Sequence, residues 1–239
     1  MTDNKHRAFL LVGLLVVLAD LVLGAFGFFV LSWIGLVLGL IAATALVLWA
    51  VRQAPHRVGR QVGGRPADEE EQPRLHNVLD GLCVASGVPK PIVMTLDDVS
   101  PNILSFGRAP RDATIVATTG LLELLSRIEL EGMLAHELSH IKNLDIFPDT
   151  LAAAFNASGV AWLGPQPRRE ALADLQAVGM TRYPPGLLSA LEKLQADGTP
   201  MAACPASIAH LWLKPPETGR RAAGQAALLE DRIEALREL

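Results

Sequence analysis

Cysteine is nearly missing from this sequence: Cys83 and Cys204 stand alone among 239 residues, with no C-x-x-C pair and no framework of even spacings. That excludes a zinc ribbon and a disulfide-stapled scaffold, and leaves two buried thiols in a reducing compartment as the expectation. Aromatic residues make up 5% of the chain, with Tyr183 the sole tyrosine. Charge is also scarce: charged residues make up 19%, the formal net charge is −4, and no basic stripe is interleaved with aromatics. Nucleic acid is therefore not an expected partner. No repeat of 20–50 residues appears, which removes the solenoids and propellers.

What the sequence has instead is a long apolar block. From Ala8 to Val51 the only charged residue is Asp20. As helix at about 1.5 Å per residue this block would reach roughly 66 Å, about twice the hydrocarbon core of a bilayer. Its length predicts two crossings, near residues 7–25 and 28–51, broken at Gly24-Ala-Phe-Gly27. A cleavable signal peptide has a much shorter apolar core. Lys5 and Arg7 precede the block and Arg52, Arg57, Arg60 and Arg65 follow it, so both ends of the chain are expected on the cytoplasmic side. An acid inside a span is costly and points to a role or a partner. Asp20, close to the expected turn, is read as reaching interfacial water or a group on the second helix.

Residues 52–73 change character: Pro55, Gly59, Gly63, Gly64 and Pro66, with the acidic run Asp68-Glu-Glu-Glu71, read as a linker. A domain follows over residues 74–239. Leu75, Val78, Leu79 and Leu82 recur at helical spacing up to Gly87-Val-Pro89. Pro91–Thr95, Ile103–Phe106 and Ala113–Thr118 are β-prone runs predicting a small sheet of three strands, and after Gly120 the chain reads almost wholly as helix. The fold class is α+β: an N-terminal two-helix transmembrane hairpin, then a mainly helical domain with a small β-sheet.

The chemistry is carried by His136-Glu137-Leu-Ser-His140. Histidines four apart share a helix face and can hold one metal ion, and neutral imidazoles suit Zn2+, one ion per chain. Glu137, beside the first ligand, has the place of a general base for a water attacking a carbonyl. A catalytic zinc takes three protein ligands, and Glu170 is the best candidate for the third. Asp174 lies four residues further on the same helix face, where it can accept the free N–H of a liganding histidine.

Beyond this motif the chain resembles the HtpX-type membrane zinc metallopeptidases, which are related to the CAAX-prenyl endopeptidases. The likeness runs from Leu75 to Leu194 and includes Asp97-Asp-Val-Ser-Pro-Asn102, Thr118–Leu125, Glu129–Asn143 with Asp145, and Arg169-Glu170-x-x-Ala173-Asp174. It implies a zincin-like endopeptidase domain on the cytoplasmic side of a bacterial inner membrane, multi-pass, acting in quality control and stress response. Its implied partners are the lipid bilayer and polypeptide substrates, damaged or unfolded membrane proteins.

Three departures from the family pattern stand out. His140 and Glu170 are only 30 positions apart, too close for two further spans, and Asp149–Trp162 reads as one helix. The edge-strand motif, typically Asn-Ala-Phe-Ala, stands here as Asn102-Ile-Leu-Ser-Phe106, with Asn102 a candidate contact to substrate. The His-Pro-Pro that precedes the last helix is absent, and His210 is the candidate to donate to an oxyanion in its place. His76 is expected on the solvent face of its helix, and Arg182-Tyr183-Pro-Pro185 as a helix terminator. A zinc-binding but proteolytically silent membrane scaffold is the competing reading.

Overall fold

The computed structural model describes residues 2–155, 167–202, 204–215 and 220–239. Helix α1 (Thr2–Val62) is one helical run interrupted at Leu31 (φ −129°, ψ 21°) and Ser32 (φ 53°, ψ −138°). The break expected at Gly24–Gly27 thus falls a few residues later, and the glycines serve another purpose. A Cβ on Gly27 would land on the Gly35 carbonyl oxygen, and one on Gly39 on that of Leu23. The stretches before and after the break therefore meet backbone to backbone, as small residues allow apolar helices to do. Asp20 finds its partner across that contact, with Thr44 Oγ1 donating at 3.5 Å. Most other large side chains of the block point outward, Phe29, Trp33 and Ile34 being 89%, 71% and 72% exposed.

Of residues 52–73, expected as a linker, 52–62 continue helix α1. Val47, Val51, Ala54, Val58 and Val62 recur every three or four positions and are buried, so α1 continues as an amphipathic helix despite Pro55. Beyond Gly63, which has φ 73°, strand β1 (Arg65–Pro66) joins the sheet. Helix α2 (Pro73–Ser86) follows and ends at Gly87 in the left-handed conformation, its amide bonded to the Cys83 carbonyl.

The three β-prone runs form β2 (Ile92–Leu96), β3 (Ile103–Phe106) and β4 (Thr114–Thr118). The strand order is β1-β2-β4-β3, with β2 and β4 parallel and the outer pairs antiparallel. Alternation divides the sheet between two cores. Val93, Ile103, Ile115 and Ala117 face α2, α4 (Arg127–Asn143) and α7 (Pro184–Ala196). Leu104, Phe106 and Val116 face the end of α1 and α5 (Ile146–Ala154).

Short α3 (Thr119–Leu124) leads into α4, which packs most extensively on α6 (Pro167–Thr181) and α7. Gly132 lets α7 approach, since a Cβ there would lie 2.6 Å from the Leu187 nitrogen. Helix α8 (Arg220–Arg237) closes the domain with Ile233 and Leu236 buried. The helix expected over Asp149–Trp162 is α5 as far as Ala154, and its later part lies outside the described residues. Cys83 and Cys204 are free thiols and only half-buried, which corrects the expectation of full burial.

Candidate active site

Helix α4 is built to hold its position. Ser126 caps it, with Glu129 returning to the Ser126 amide at 2.7 Å in a capping box. Glu129 also accepts from Ser189 Oγ (2.5 Å) and Lys193 Nζ (2.7 Å) on α7. Burial alone would raise the Glu129 pKa, but Lys193 and the serine donors outweigh it and hold the carboxyl at about 2. The helix ends at Leu144, whose φ of 61° is unusual for a branched side chain and turns the backbone sharply. Asp145 N then bonds the His140 carbonyl, and its carboxylate lies back against the ring.

His136 and His140, both buried, present their Nε2 atoms to each other at 3.1 Å. Glu170 reaches in from α6, 3.6 Å from His136 Nε2 and 3.7 Å from His140 Nε2. One donor atom from each of the three lies within 4.8 Å of the others. The far nitrogens meet carboxylates: His136 Nδ1 is 2.8 Å from Asp174 Oδ1, and His140 Nδ1 is 2.9 Å from Asp145 Oδ2. With each Nδ1 proton given to its carboxylate, both Nε2 lone pairs face one small space, where a single cation can meet both.

That geometry suits zinc. Two imidazole nitrogens at about 2.0–2.1 Å from one tetrahedral ion stand roughly 3.3 Å apart, and a two-histidine, one-carboxylate set is a common catalytic arrangement.

The electrostatics agree. Burial favours neutral Glu170, yet His140, Arg232 and His136 overcome it and hold the carboxyl far below its usual range. Asp174 sits at about 2, burial being outweighed by Arg232 and His136. Burial opposes charge on His140, but Glu170 and Asp145 lift it to about 10.

Two of these residues escaped the sequence reading of roles. Asp145 carries a weak local signal, a carboxylate five positions after the second histidine just past the helix end. Arg232 carries none. It comes from α8 with 8% exposure, and its Nε and Nη2 each donate to Asp174 at 2.7 Å, a bidentate pair. Its Nη1 is 3.3 Å from Glu170 Oε2, and Nη2 is 3.3 Å from His136 Nδ1. A guanidinium cannot accept a hydrogen bond, so the His136 Nδ1 proton goes to the closer Asp174.

Glu137 is buried, and the hydroxyl of Ser105 donates to its Oε2 at 2.6 Å. The other residues singled out from the sequence have their polar contacts elsewhere. Asn102 is fully buried, with Nδ2 donating to the Lys214 carbonyl and Oδ1 accepting from Lys214 N and Ile103 N. His210, in a 3-10 turn over Ala209–Leu211, has Nε2 3.2 Å from the Asp149 carbonyl oxygen. His76 is 8% exposed, not solvent-facing, because the Ala67 carbonyl beyond β1 lies 3.0 Å from its Nε2. Tyr183 stands between α6 and α7, half exposed.

A sequence profile for Peptidase family M48 matches residues 69–192, which holds β2, β3 and β4, the α4 motif and Glu170. The chain belongs to peptidase family M48. Among its M48 relatives is the Protease HtpX homolog of Dictyoglomus thermophilum, 32% identical over an alignment covering 98% of this chain and 92% of that protein. The homologue from Thermoanaerobacter pseudethanolicus is 30% identical, covering 99% of this chain and 96% of its own length. That from Tropheryma whipplei is 32% identical over 74% of this chain and 76% of its own. This M48 chain is thus an HtpX-type metallopeptidase. The Dictyoglomus alignment runs over 282 positions against a chain of 239, so that relative carries residues this chain lacks. A cavity of about 230 Å³ opens beside the cluster between α6 and α8, lined by Glu170, Leu175, Arg232, Leu236 and Leu239.

Proposed function

We propose that this peptidase is a zinc-dependent endopeptidase of a bacterial plasma membrane, cleaving damaged or unfolded membrane proteins on the cytoplasmic side. The observation that carries the reading is the facing pair of Nε2 atoms with the Glu170 carboxylate beside them, each ring braced from behind by an aspartate. His136, His140 and Glu170 would hold the zinc. When bound, the metal supplies Lewis acidity, polarising the scissile carbonyl and bringing the pKa of water toward about 7. Glu137 takes the proton of the attacking water and passes it to the leaving nitrogen. Asp174 and Asp145 fix the tautomer and the plane of the two imidazoles, and Arg232 keeps Asp174 ionised.

The membrane half of the proposal is a hairpin crossing twice, turning at Leu31-Ser32, with both ends of the chain cytoplasmic. The exposed apolar sleeve from Phe9 to Trp49 supports it, since water does not tolerate a surface of that extent. So does the placing of Trp33 and Trp49, exposed near the ends of one arm, as interfacial aromatics are.

The test is Glu137→Gln in detergent-purified full chain. Zinc content should stay at about one per chain, while casein hydrolysis should fall at least about a hundredfold, the low end for loss of a general base. Equal hydrolysis by wild type and variant rejects the mechanism.

A further inference from the structure

Asp20 stands deeper in the apolar block than the sequence suggests. With the break at Leu31-Ser32 it lies 11 positions before Leu31 and 13 after Arg7, roughly 17 and 20 Å of helix at about 1.5 Å per residue. On the two crossings proposed above, that depth is near the middle of a hydrocarbon core of about 30 Å. A carboxylate on a single methylene is too short to reach water across either distance. Its one hydrogen-bond partner among the described residues is Thr44 Oγ1 at 3.5 Å, longer than a strong O–H···O bond. One such contact between membrane helices offsets only a fraction of the cost of an acid at mid-span. The acid is also not what joins the two arms, since Gly24, Gly27, Gly35 and Gly39 are each closed against the opposite one.

Asp20 is half-buried, and it ends a strip that the second arm leaves uncovered. Leu10, Gly13, Val17 and Asp20 recur at spacings of three and four, which puts them on one face of the first arm. Leu10 and Val17 are 70% and 54% exposed. Gly13 is exposed as well, and a Cβ there would meet nothing within 4 Å, unlike the four glycines of the arm-to-arm contact. A bare glycine on an apolar helix is where another helix can approach closely.

We propose that the strip from Leu10 to Asp20 docks a transmembrane helix of a client protein, with a lysine or arginine of that helix paired to the Asp20 carboxylate. The occupant follows from shape and charge: Gly13 admits a helix backbone, and a mid-membrane acid is complemented by a mid-membrane cation. Such cations sit paired inside the bundles of assembled membrane proteins and face lipid only where a segment has lost its partners. Asp20 thus recognises the exposed charge of an unassembled segment and holds it beside the enzyme. The inference rests on the topology and substrate class proposed above, and names the feature by which a client is told apart.

The experiment uses zinc-loaded, full-length Glu137→Gln, which keeps the peptide intact, in vesicles of uncharged phosphatidylcholine. The probe is a labelled helix of about 20 leucines and alanines with Lys, Leu or Asp at its centre, and binding is read by energy transfer. The Lys peptide should bind about tenfold tighter than the Leu peptide, the order expected of one polar contact between membrane helices, and the Asp peptide no tighter than Leu. Moving the lysine two turns toward either end should remove the preference. Adding Asp20→Leu should abolish it and Asp20→Glu should keep it, whereas Gly13→Leu should weaken all three peptides alike, by severalfold. Zinc content and binding of the Leu peptide report an intact fold in each Asp20 variant.

Equal binding of the Lys and Leu peptides, a preference that survives Asp20→Leu, or Gly13→Leu binding as tightly as its parent overturns the inference. So does Asp20-dependent association of the protein with its own copies in peptide-free vesicles. The two readings fail differently: reporters placing the two ends of the chain on opposite sides of the membrane sink the topology, whereas two cytoplasmic ends beside equal binding of Lys and Leu peptides sink only the docking strip.

Discussion

Replacing Arg232 by methionine keeps most of the side-chain volume and removes one charge from the most crowded part of the site. Arg232 is always charged, pairs Asp174 through two hydrogen bonds, lies 3.3 Å from Glu170, and helps hold both carboxyls below their usual range. Arg232→Met leaves one negative charge unmatched at a site where Asp174 is 3% exposed. Removing one partner of a buried, hydrogen-bonded pair typically costs about 3–5 kcal/mol, most of it the penalty of stranding the other charge. Amides of α4 and α6 that exchange by unfolding should then exchange faster by roughly two to four powers of ten, at about 1.36 kcal/mol for each.

The assay is hydrogen exchange in detergent with chelator present, on Arg232→Met, Asp174→Asn and the double variant. Since Asp174 and Arg232 share two 2.7 Å bonds, the double variant should be more stable than the sum of the singles by at least about 1.5 kcal/mol. Zinc should return part of the loss in Arg232→Met, its charge standing beside the stranded carboxylates. Additivity within about 0.5 kcal/mol, or exchange at the wild-type rate in Arg232→Met, would refute the account of α8 as the electrostatic brace of the site.

Three further outcomes are expected. Chelation should lower the thermal midpoint and zinc restore it, by about 2.7 kcal/mol at a hundredfold excess over Kd, whereas His136→Ala should show no such response. Glu129, held at about 2 against an ordinary 4.5, releases its proton more readily folded than unfolded, so its stabilisation is present above pH 4.5 and lost as pH falls toward 2. The stability gap between wild type and Glu129→Gln should close over that window; a gap constant from pH 7 to 2 contradicts the Lys193–Glu129 clamp. Reporters fused at either end of the chain should both score as cytoplasmic, and a periplasmic signal from one of them excludes two crossings.

The parts of the site legible in the sequence are those written at helical spacing. His136 and His140 share a face because they are four apart on α4, and Glu170 and Asp174 do so on α6. The groups that finish the site come from far along the chain: Ser105 meets Glu137 across 32 positions and Arg232 meets Asp174 across 58. No periodicity encodes such a meeting. Asn102 and His210 show the converse. Asn102 suits a contact to substrate and His210 a donor to an oxyanion, but the Asn102 amide and His210 Nε2 each meet the chain's own backbone.

Glycine misled in α1 for a physical reason. In water-exposed sequence a pair such as Gly24 and Gly27 marks a turn, but inside an apolar block a missing Cβ is as useful for letting two helices touch. The break went instead to Leu31-Ser32, and Ser32 takes the positive φ itself. The first part of the expected linker behaves similarly. Pro55 and the glycines after it are breakers when counted, yet the buried stripe from Val47 to Val62 keeps its period through them, and packing decided the outcome.

That stripe bears on what the enzyme can reach. Val58, Val62 and their neighbours lie in one core with Leu104 and Phe106, the two residues that flank Ser105 on β3. The apolar block is thus joined through a packed helix and a single strand to the side chain that contacts Glu137, with no flexible tether between. From Val51, the last apolar position of the block, to Val62 is roughly 16 Å of helix at about 1.5 Å per residue. On the proposed topology this rigid spacing sets the stand-off of β3 from the bilayer. An extended chain covers such a distance in about five residues at roughly 3.3 Å each. A folded loop at the membrane surface cannot supply that reach without unravelling, whereas a segment that has lost its structure can. On the substrate class proposed above, selection of unfolded over native membrane proteins would follow from the fixed height of β3, and lengthening α1 by two turns between Val51 and Val62 should shift cleavage further from the membrane by a matching number of residues.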